Sequence, residues 1–292
     1  MLHQPVLLDE ALALLRVKPG GVYVDGTFGL GGHGDAMLRR CAPDGRVVGF
    51  EWDGQAIGQA RQGLSGERQR LTLVRRNFAE MGEALAELGL QNVDGILLDV
   101  GCSSMQLDQG GRGFSFQVDE LLDMRMDQRR PTTAADILAG AEEVELADIF
   151  FHYGDEIQAR RVAARIVAER RGQPITTTKQ LARIVAEAIP RRFHPARIHV
   201  ATRVFQALRI AVNDELKNLA AALQAGPALL AMGGRMGVIS FHSLEDRLAK
   251  RTLSGDKLLK LLTPKPIVPG RDEIRRNPRA RSARLRGAEK IA

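Results

Sequence analysis

Aromatic residues are scarce in this 292-residue chain: 10 Phe, 2 Tyr and 1 Trp make up 4% of it. That argues against a protein that holds single strands mainly by stacking bases on aromatic platforms. Cysteine is scarcer still, and the two present, Cys41 and Cys102, form no disulfide framework and suit a reducing compartment. No stretch approaches the roughly 18 uninterrupted apolar residues a membrane span needs. Asp9 and Glu10 stand where a secretory leader would be basic and then apolar. These absences predict a soluble, cytoplasmic protein. A hydrophobic content of 44% suffices for an ordinary core, which excludes disorder as the main state, and the length fits one large or two modest domains.

Positive charge is in excess but unevenly placed. Lys+Arg 42 against Asp+Glu 35 gives +7, yet residues 251–292 hold 12 basic and 4 acidic side chains, leaving 30 and 31 for the rest. A neutral body with a basic tail points to a polyanionic partner. A second basic stretch contains Arg183, Arg191, Arg192, Arg197, Arg203 and Arg209 against Glu187, with His194 and His199 interleaved. Forked guanidinium donors suit phosphate, although charge runs are more often a solvated helix face or a solubilising tail. In the tail, Arg281-x-x-Arg284-x-Arg286 reads as a final strand showing arginines on one side.

Short apolar runs alternate with helical spacing from residue 20. Val22–Val24 ends at Asp25, Arg46–Phe50 at Glu51, Leu71–Val74 runs into a turn before Phe78, and Gly95–Leu98 ends at Asp99. Strands separated by helices predict a parallel sheet with crossovers, a doubly wound α/β domain. From about Leu107 to Val212 strand-like runs cease, and helices are expected at Val144–Phe151, Glu156–Arg170, Thr178–Ala188 and Ala201–Val212. The rhythm then returns: a helix around Asp214–Leu223, a Gly233–Gly234 stop and a strand at Arg235–Phe241. The expectation is a discontinuous sheet domain, 1–106 with 213–292, split by a helical insert at 107–212.

The turn after the first run, Asp25 to Gly34, holds five glycines in the nine residues from Gly26. Read literally, Gly29-x-Gly31-x-x-Gly34 with Glu51 17 positions on is a dinucleotide fingerprint. A dinucleotide, however, presents a pyrophosphate to the helix N-terminus. S-adenosylmethionine presents an ammonium and a sulfonium, and carboxylates at three strand ends, Asp25, Glu51 and Asp99, suit such a cation better. Any one of them could instead merely cap a turn. Ser243 and Asp246 form a capping-box pattern in a turn that displays His242, and six scattered histidines with two distant cysteines give no metal-site spacing.

Several stretches together resemble one family. They are HQPVLLDE from His3, DGTFGLGGHG from Asp25, GILLDVGCSSMQLD from Gly95, RGFSF from Arg112, LDMRMD from Leu122, ATRVFQALRIAVNDEL from Ala201, ISFHSLEDR from Ile239 and NPRARSARLR from Asn277. In that order, over almost the whole chain, they are similar to the small-subunit ribosomal RNA methyltransferase H (MraW) family. The resemblance implies a class I (Rossmann-like) S-adenosylmethionine-dependent methyltransferase with an inserted helical, RNA-recognising domain. It implies methylation of N4 of a cytidine in the decoding region of bacterial 16S rRNA; naked rRNA and the assembled 30S subunit both stay open as the form recognised, with the folded particle expected for a small basic enzyme that must find one cytidine. Cofactor contacts carry over to Gly31, Gly32, His33, Glu51, Phe78, Asp99 and Gln106, beside the Asp25 already singled out. Glu51 stands where the family usually has Asp, and Cys102 and Met105 replace its Val and Pro. With rRNA as the partner, Arg191, Arg192, Arg197, Arg203, Arg281 and Arg284 become candidate phosphate contacts, since reaching a base in folded RNA requires unstacking it and gripping the backbone.

A cytosine amine is a poor nucleophile because its lone pair is delocalised into the ring. Asp99 and the Gly101–Ser104 loop are expected to build the acceptor surface for it, with Asp99 as the catalytic group. An NAD-linked dehydrogenase would explain the glycines but neither Asp25 nor the arginines. A non-catalytic RNA-binding assembly factor would have no use for three strand-end carboxylates.

Overall fold

The computed structural model describes residues 5–63, 68–101, 106, 110–196 and 198–292. In chain order the first stretch runs α1 (Leu8–Leu14), β1 (Val22–Asp25), α2 (Gly32–Arg40), β2 (Arg46–Phe50), α3 (Gly54–Gly63), β3 (Leu71–Val74), α4 (Met81–Glu87) and β4 (Val93–Asp99). Further along, the described residues include α5 (Ala134–Gly140), α6 (Glu143–Gly154), α7 (Ala159–Arg170), α8 (Thr178–Ala188) and α9 (Thr202–Asn213). The chain ends with α10 (Glu215–Leu229), β5 (Leu230–Ser240), α11 (Ser243–Gly255), β6 (Leu259–Leu261), α12 (Arg271–Arg276) and β7 (Arg284–Lys290). Contacts divide it into residues 1–101 with 216–292, and residues 102–215. No helix among the described residues is long and apolar enough to cross a membrane.

The first unit is an α/β domain around a seven-stranded sheet, ordered β3-β2-β1-β4-β5-β7-β6. β1, β2 and β4 are buried nearly throughout, so their side chains must be apolar on both faces and they read as continuous runs. The sheet is mixed rather than parallel throughout: β7 pairs antiparallel with β5 and with β6. The sequence leads from β1 out to β2 and β3 on one side and returns to β4 on the other. That reversal opens a crevice beyond the carboxyl ends of β1 and β4, where open α/β sheets bind ligands.

Two local expectations are corrected. Gly233 and Gly234 do not stop a helix ahead of β5 but lie inside it. Gly233 takes φ +75°, and the register against β4 slips between Val93 and Gly95, a bulge that glycine tolerates. The capping box of α11 is His242 with Glu245, not Ser243 with Asp246. The helix starts one residue early because the His242 ring accepts the Glu245 N–H while the Glu245 carboxylate accepts the His242 N–H. Asp246 is thereby released to meet β7.

The second unit is helical, built around Leu146, Phe150, Val162, Ile166, Leu181, Val185, Phe205 and Leu208, each at most 5% exposed. Side-chain caps open three of these helices: Thr133 with Asp136 for α5, Glu142 with Glu145 for α6, and Thr177 for α8. Asn213, fully buried, accepts the Met126 N–H and donates to the Met124 carbonyl, each at 2.8 Å. The LDMRMD segment is therefore held by the end of α9, a structural use of two of the motifs that carry the family resemblance.

Candidate active site

The crevice at the β1 and β4 ends is lined by carboxylates. Asp25 closes β1 and is 1% exposed. Its Oδ1 accepts the Thr27 N–H at 3.1 Å, and its Oδ2 has no hydrogen-bond partner. Burial pushes this carboxyl up to about 7, against the lesser pull of the Thr27 and Gly34 amides. Asp99 closes β4, its amide donating to Thr27 Oγ1 at 2.7 Å. Its Oδ1 is buried and lacks a partner. Burial, then the charges of Asp25 and Glu245, hold its carboxyl well above the usual range. A charge in a poorly hydrated site is unfavourable unless paired, so both groups favour the protonated form until a cation arrives.

His33, in the first turn of α2, reaches into the same crevice. Its Nε2 lies 2.9 Å from the Val6 carbonyl, which can only accept, so that nitrogen carries a hydrogen. Its Nδ1 stands 3.6 Å from Asp99 Oδ2. At that distance the ring stands beside the carboxylate without a hydrogen bond to it.

Glu51 follows β2 and ties down the glycine turn. Its Oε2 accepts the Gly29 N–H at 3.0 Å and its Oε1 the Asp53 N–H at 2.8 Å. Burial is again the main cause of a pKa pushed up to about 7, reinforced by the charge of Asp53 and opposed by the Asp53, Gly29 and Trp52 amides. The longer Glu side chain thus has work inside the protein.

The glycines divide by cause. Gly31 is the N-cap of α2 at φ +92°, a conformation that L side chains rarely adopt. Gly34 instead yields space, since a Cβ there would lie 2.3 Å from the Phe28 ring. Gly32 opens α2, where a Cβ would meet Pro5 at 3.1 Å. Phe78 is partly buried against the sheet core, beside Gly26.

The structure thus brings together Asp25, Gly31, Gly32, His33, Glu51, Phe78 and Asp99 in the first unit. It adds Thr27, which holds the Asp99 backbone, and Glu245, whose charge acts on Asp99. Thr27 had a sequence signal, a hydroxyl two residues past a strand end; Glu245 lay within the ISFHSLEDR motif, but nothing in its spacing placed it near Asp99, because only the fold carries it to β4. Gln106 is buried in the second unit. Cys102 to Met105, including Ser103 and Ser104, lie outside the described residues, as does Arg197.

The other arginines differ in their freedom. Arg191 and Arg192 sit exposed in a single 3-10 turn, with Arg192 5.0 Å above the Phe193 ring. Arg203 donates to the Asp155 carbonyl. Arg183 pairs with Glu187, and Arg209 pairs with Glu215 through two hydrogen bonds, so the 183–209 stretch exposes less charge than its composition suggests. Arg284 is paired with Asp246 at 2.8 Å, whereas Arg281 makes no ion pair or side-chain hydrogen bond among the described residues.

The MraW methylase family model matches residues 1–291. A protein of Desulfotalea psychrophila named Ribosomal RNA small subunit methyltransferase H is 57% identical over 290 residues, covering 99% of this chain and 98% of that one. Its namesake in Geobacter sulfurreducens is 49% identical over 307 residues, with 99% of each covered. Among solved structures, a presumptive rRNA methylase from Clostridium thermocellum is similar over 100% of both chains, with a TM-score of 0.50 at 14% identity, a likeness of fold.

Proposed function

The chain belongs to the MraW methylase family, and on that premise we propose that it transfers a methyl group from S-adenosylmethionine to N4 of a cytidine in the decoding region, at the P site, of 16S rRNA. The observation that carries this is the pair of buried carboxylate oxygens without partners, Asp25 Oδ2 and Asp99 Oδ1, at the switch point of the sheet. They fit a cationic adenosyl cofactor and repel a pyrophosphate, which disfavours a dinucleotide. When bound, S-adenosylmethionine supplies an electrophilic methyl group on a sulfonium.

Asp25 and Asp99 hold the positive charge, Gly31 and Gly32 leave room at the start of α2, and Phe78 offers its ring to the adenine. Glu51 keeps lone pairs for ribose hydroxyls beyond the two amides it already binds. Asp99 Oδ1 accepts a hydrogen bond from the target amine and orients its lone pair, while His33 stands 3.6 Å from the opposite oxygen. In the helical unit, Arg191, Arg192 and Arg203 contact rRNA phosphates. The 30S subunit, rather than naked rRNA, presents the cytidine. Incubation with 30S subunits from cells lacking the modification, followed by mass spectrometry of rRNA fragments, tests this; a methyl group at any other atom or nucleotide overturns it.

The raised carboxyls give a pH signature. Asp25 and Glu51 ionise near 3.8 and 4.5 in ordinary surroundings and near 7 here. The folded chain therefore holds more protons than the unfolded one between those values, and the free protein loses stability as pH rises from about 4 to about 7. Binding a cation requires the ionised forms. Affinity for S-adenosylmethionine is expected to rise up to about tenfold per pH unit between pH 6 and pH 7 for each proton released, and to level off above. S-adenosylhomocysteine, without the sulfonium, should show a shallower rise. Calorimetry in buffers of different ionisation enthalpy counts the protons, and a count of zero at pH 6 removes the cation assignment.

A further inference from the structure

Beyond the carboxyl end of β5 the first unit carries a cavity of about 380 Å³, within the roughly 300–1,000 Å³ of small-ligand pockets. Phe241, Val268, Pro269 and Ile274 give it an apolar side; His242, Ser243, Arg281, Ser282 and Arg284 give it a polar one. It lies one strand from the β4 end: a Cβ on Gly101, two residues past Asp99, would stand 3.4 Å from the Phe241 ring.

The charge facing the cavity is positive. Arg284 shares the single carboxylate of Asp246 with Arg286, so two guanidiniums are set against one acid. Glu245 is turned away, accepting the Phe241 and His242 amides and lying 3.1 Å from His242 Nε2. Arg281 is exposed and has no partner among the described residues. An apolar wall opposite a forked cation matches a base joined to a phosphate.

We propose that this cavity is a nucleotide subsite, taking one nucleotide of the RNA strand that carries the target cytidine, with its base on the Phe241 and Ile274 side and its phosphate at Arg281 and Arg284. The assignment rests on the rRNA reading above.

The full chain is titrated against a fluorescent single-stranded oligoribonucleotide of mixed sequence, with S-adenosylhomocysteine affinity measured in parallel as a check on folding. Arg281→Ala should weaken RNA binding about fivefold or more and reduce the salt slope by about one. Ser282→Trp fills the cavity without changing charge and should weaken binding to a similar degree. Arg40→Ala, an equal loss of charge from the exposed end of α2 outside the cavity, should stay within twofold of the parent. Two results overturn the proposal: Arg281→Ala no weaker than Arg40→Ala, or Ser282→Trp binding RNA as the parent does. Methyl transfer by the parent protein separates this from the wider reading. If the parent methylates no rRNA yet the cavity variants lose RNA binding, the substrate assignment falls and the subsite stands; the reverse pattern removes the subsite alone.

Discussion

Asp99→Asn is expected to lower methyl-transfer turnover at saturating cofactor by about 100-fold or more, while affinity for S-adenosylhomocysteine changes by less than about tenfold. The substitution keeps the shape of the side chain and removes its charge. Attack by an exocyclic amine places positive charge on nitrogen in the transition state, and a carboxylate beside it stabilises that charge and can take the proton released. Asp99 is suited to both tasks, because burial, then Asp25 and Glu245, hold its carboxyl well above the usual range, and its Oδ1 is not committed within the protein. Turnover of the parent enzyme should accordingly rise with pH as this group ionises. Loss of cofactor affinity with unchanged turnover at saturation would reduce Asp99 to a binder of the adenosyl group.

Asp246→Ala should destabilise the protein by about 3–5 kcal/mol, a fall in Tm on the order of 10 °C. Arg286 is 4% exposed, its Nε donates to Asp246 Oδ1 at 2.6 Å, and its Nη1 already lacks a partner. Without the carboxylate a whole charge stays buried and unpaired, whereas Arg284, half exposed, can turn to water. Burial alone would raise the Asp246 carboxyl, but hydrogen bonds from Arg286 and then Arg284 outweigh it and hold it below 3.8. Its contribution is thus complete above that value and lost as pH falls through the lowered one. Asp246→Ala combined with Arg286→Met should recover much of the loss, since no buried charge remains. A single variant that melts within about 2 °C of the parent would contradict the account.

Strands buried on both faces leave an unambiguous imprint, and for this reason β1, β2 and β4 were readable from Val22–Val24, Arg46–Phe50 and Gly95–Leu98 and the carboxylates that close them; β3, which has no fully buried residue, was marked only by the apolar run Leu71–Val74 and its place in the alternation. The arginine alternation at the end of the chain announced β7 at Arg284 and Arg286 but not its use, and Arg281 falls outside the strand, in the 3-10 turn Pro278–Ser282 before it. Arg284 and Arg286 do share a face, and that face meets Asp246, 38 and 40 residues away. Nor could spacing show that His242 would displace Ser243 as a helix cap, because histidine is not among the usual N-cap residues.

By itself the sequence determined the α/β class, the glycine turn, the acidic strand ends and the family, all of which depend on residues near one another or on side-chain periodicity. The tertiary structure alone decided which groups meet. It set β7 antiparallel to β5, brought the Val6 carbonyl to His33 and Glu245 towards Asp99, tied Glu51 to Gly29, and used one buried acid to restrain two arginines. The physical reason is that periodicity reports burial, which each strand or helix undergoes on its own. The pKa of a buried carboxylate and the freedom of an arginine depend on partners that only chain folding brings within a few ångströms.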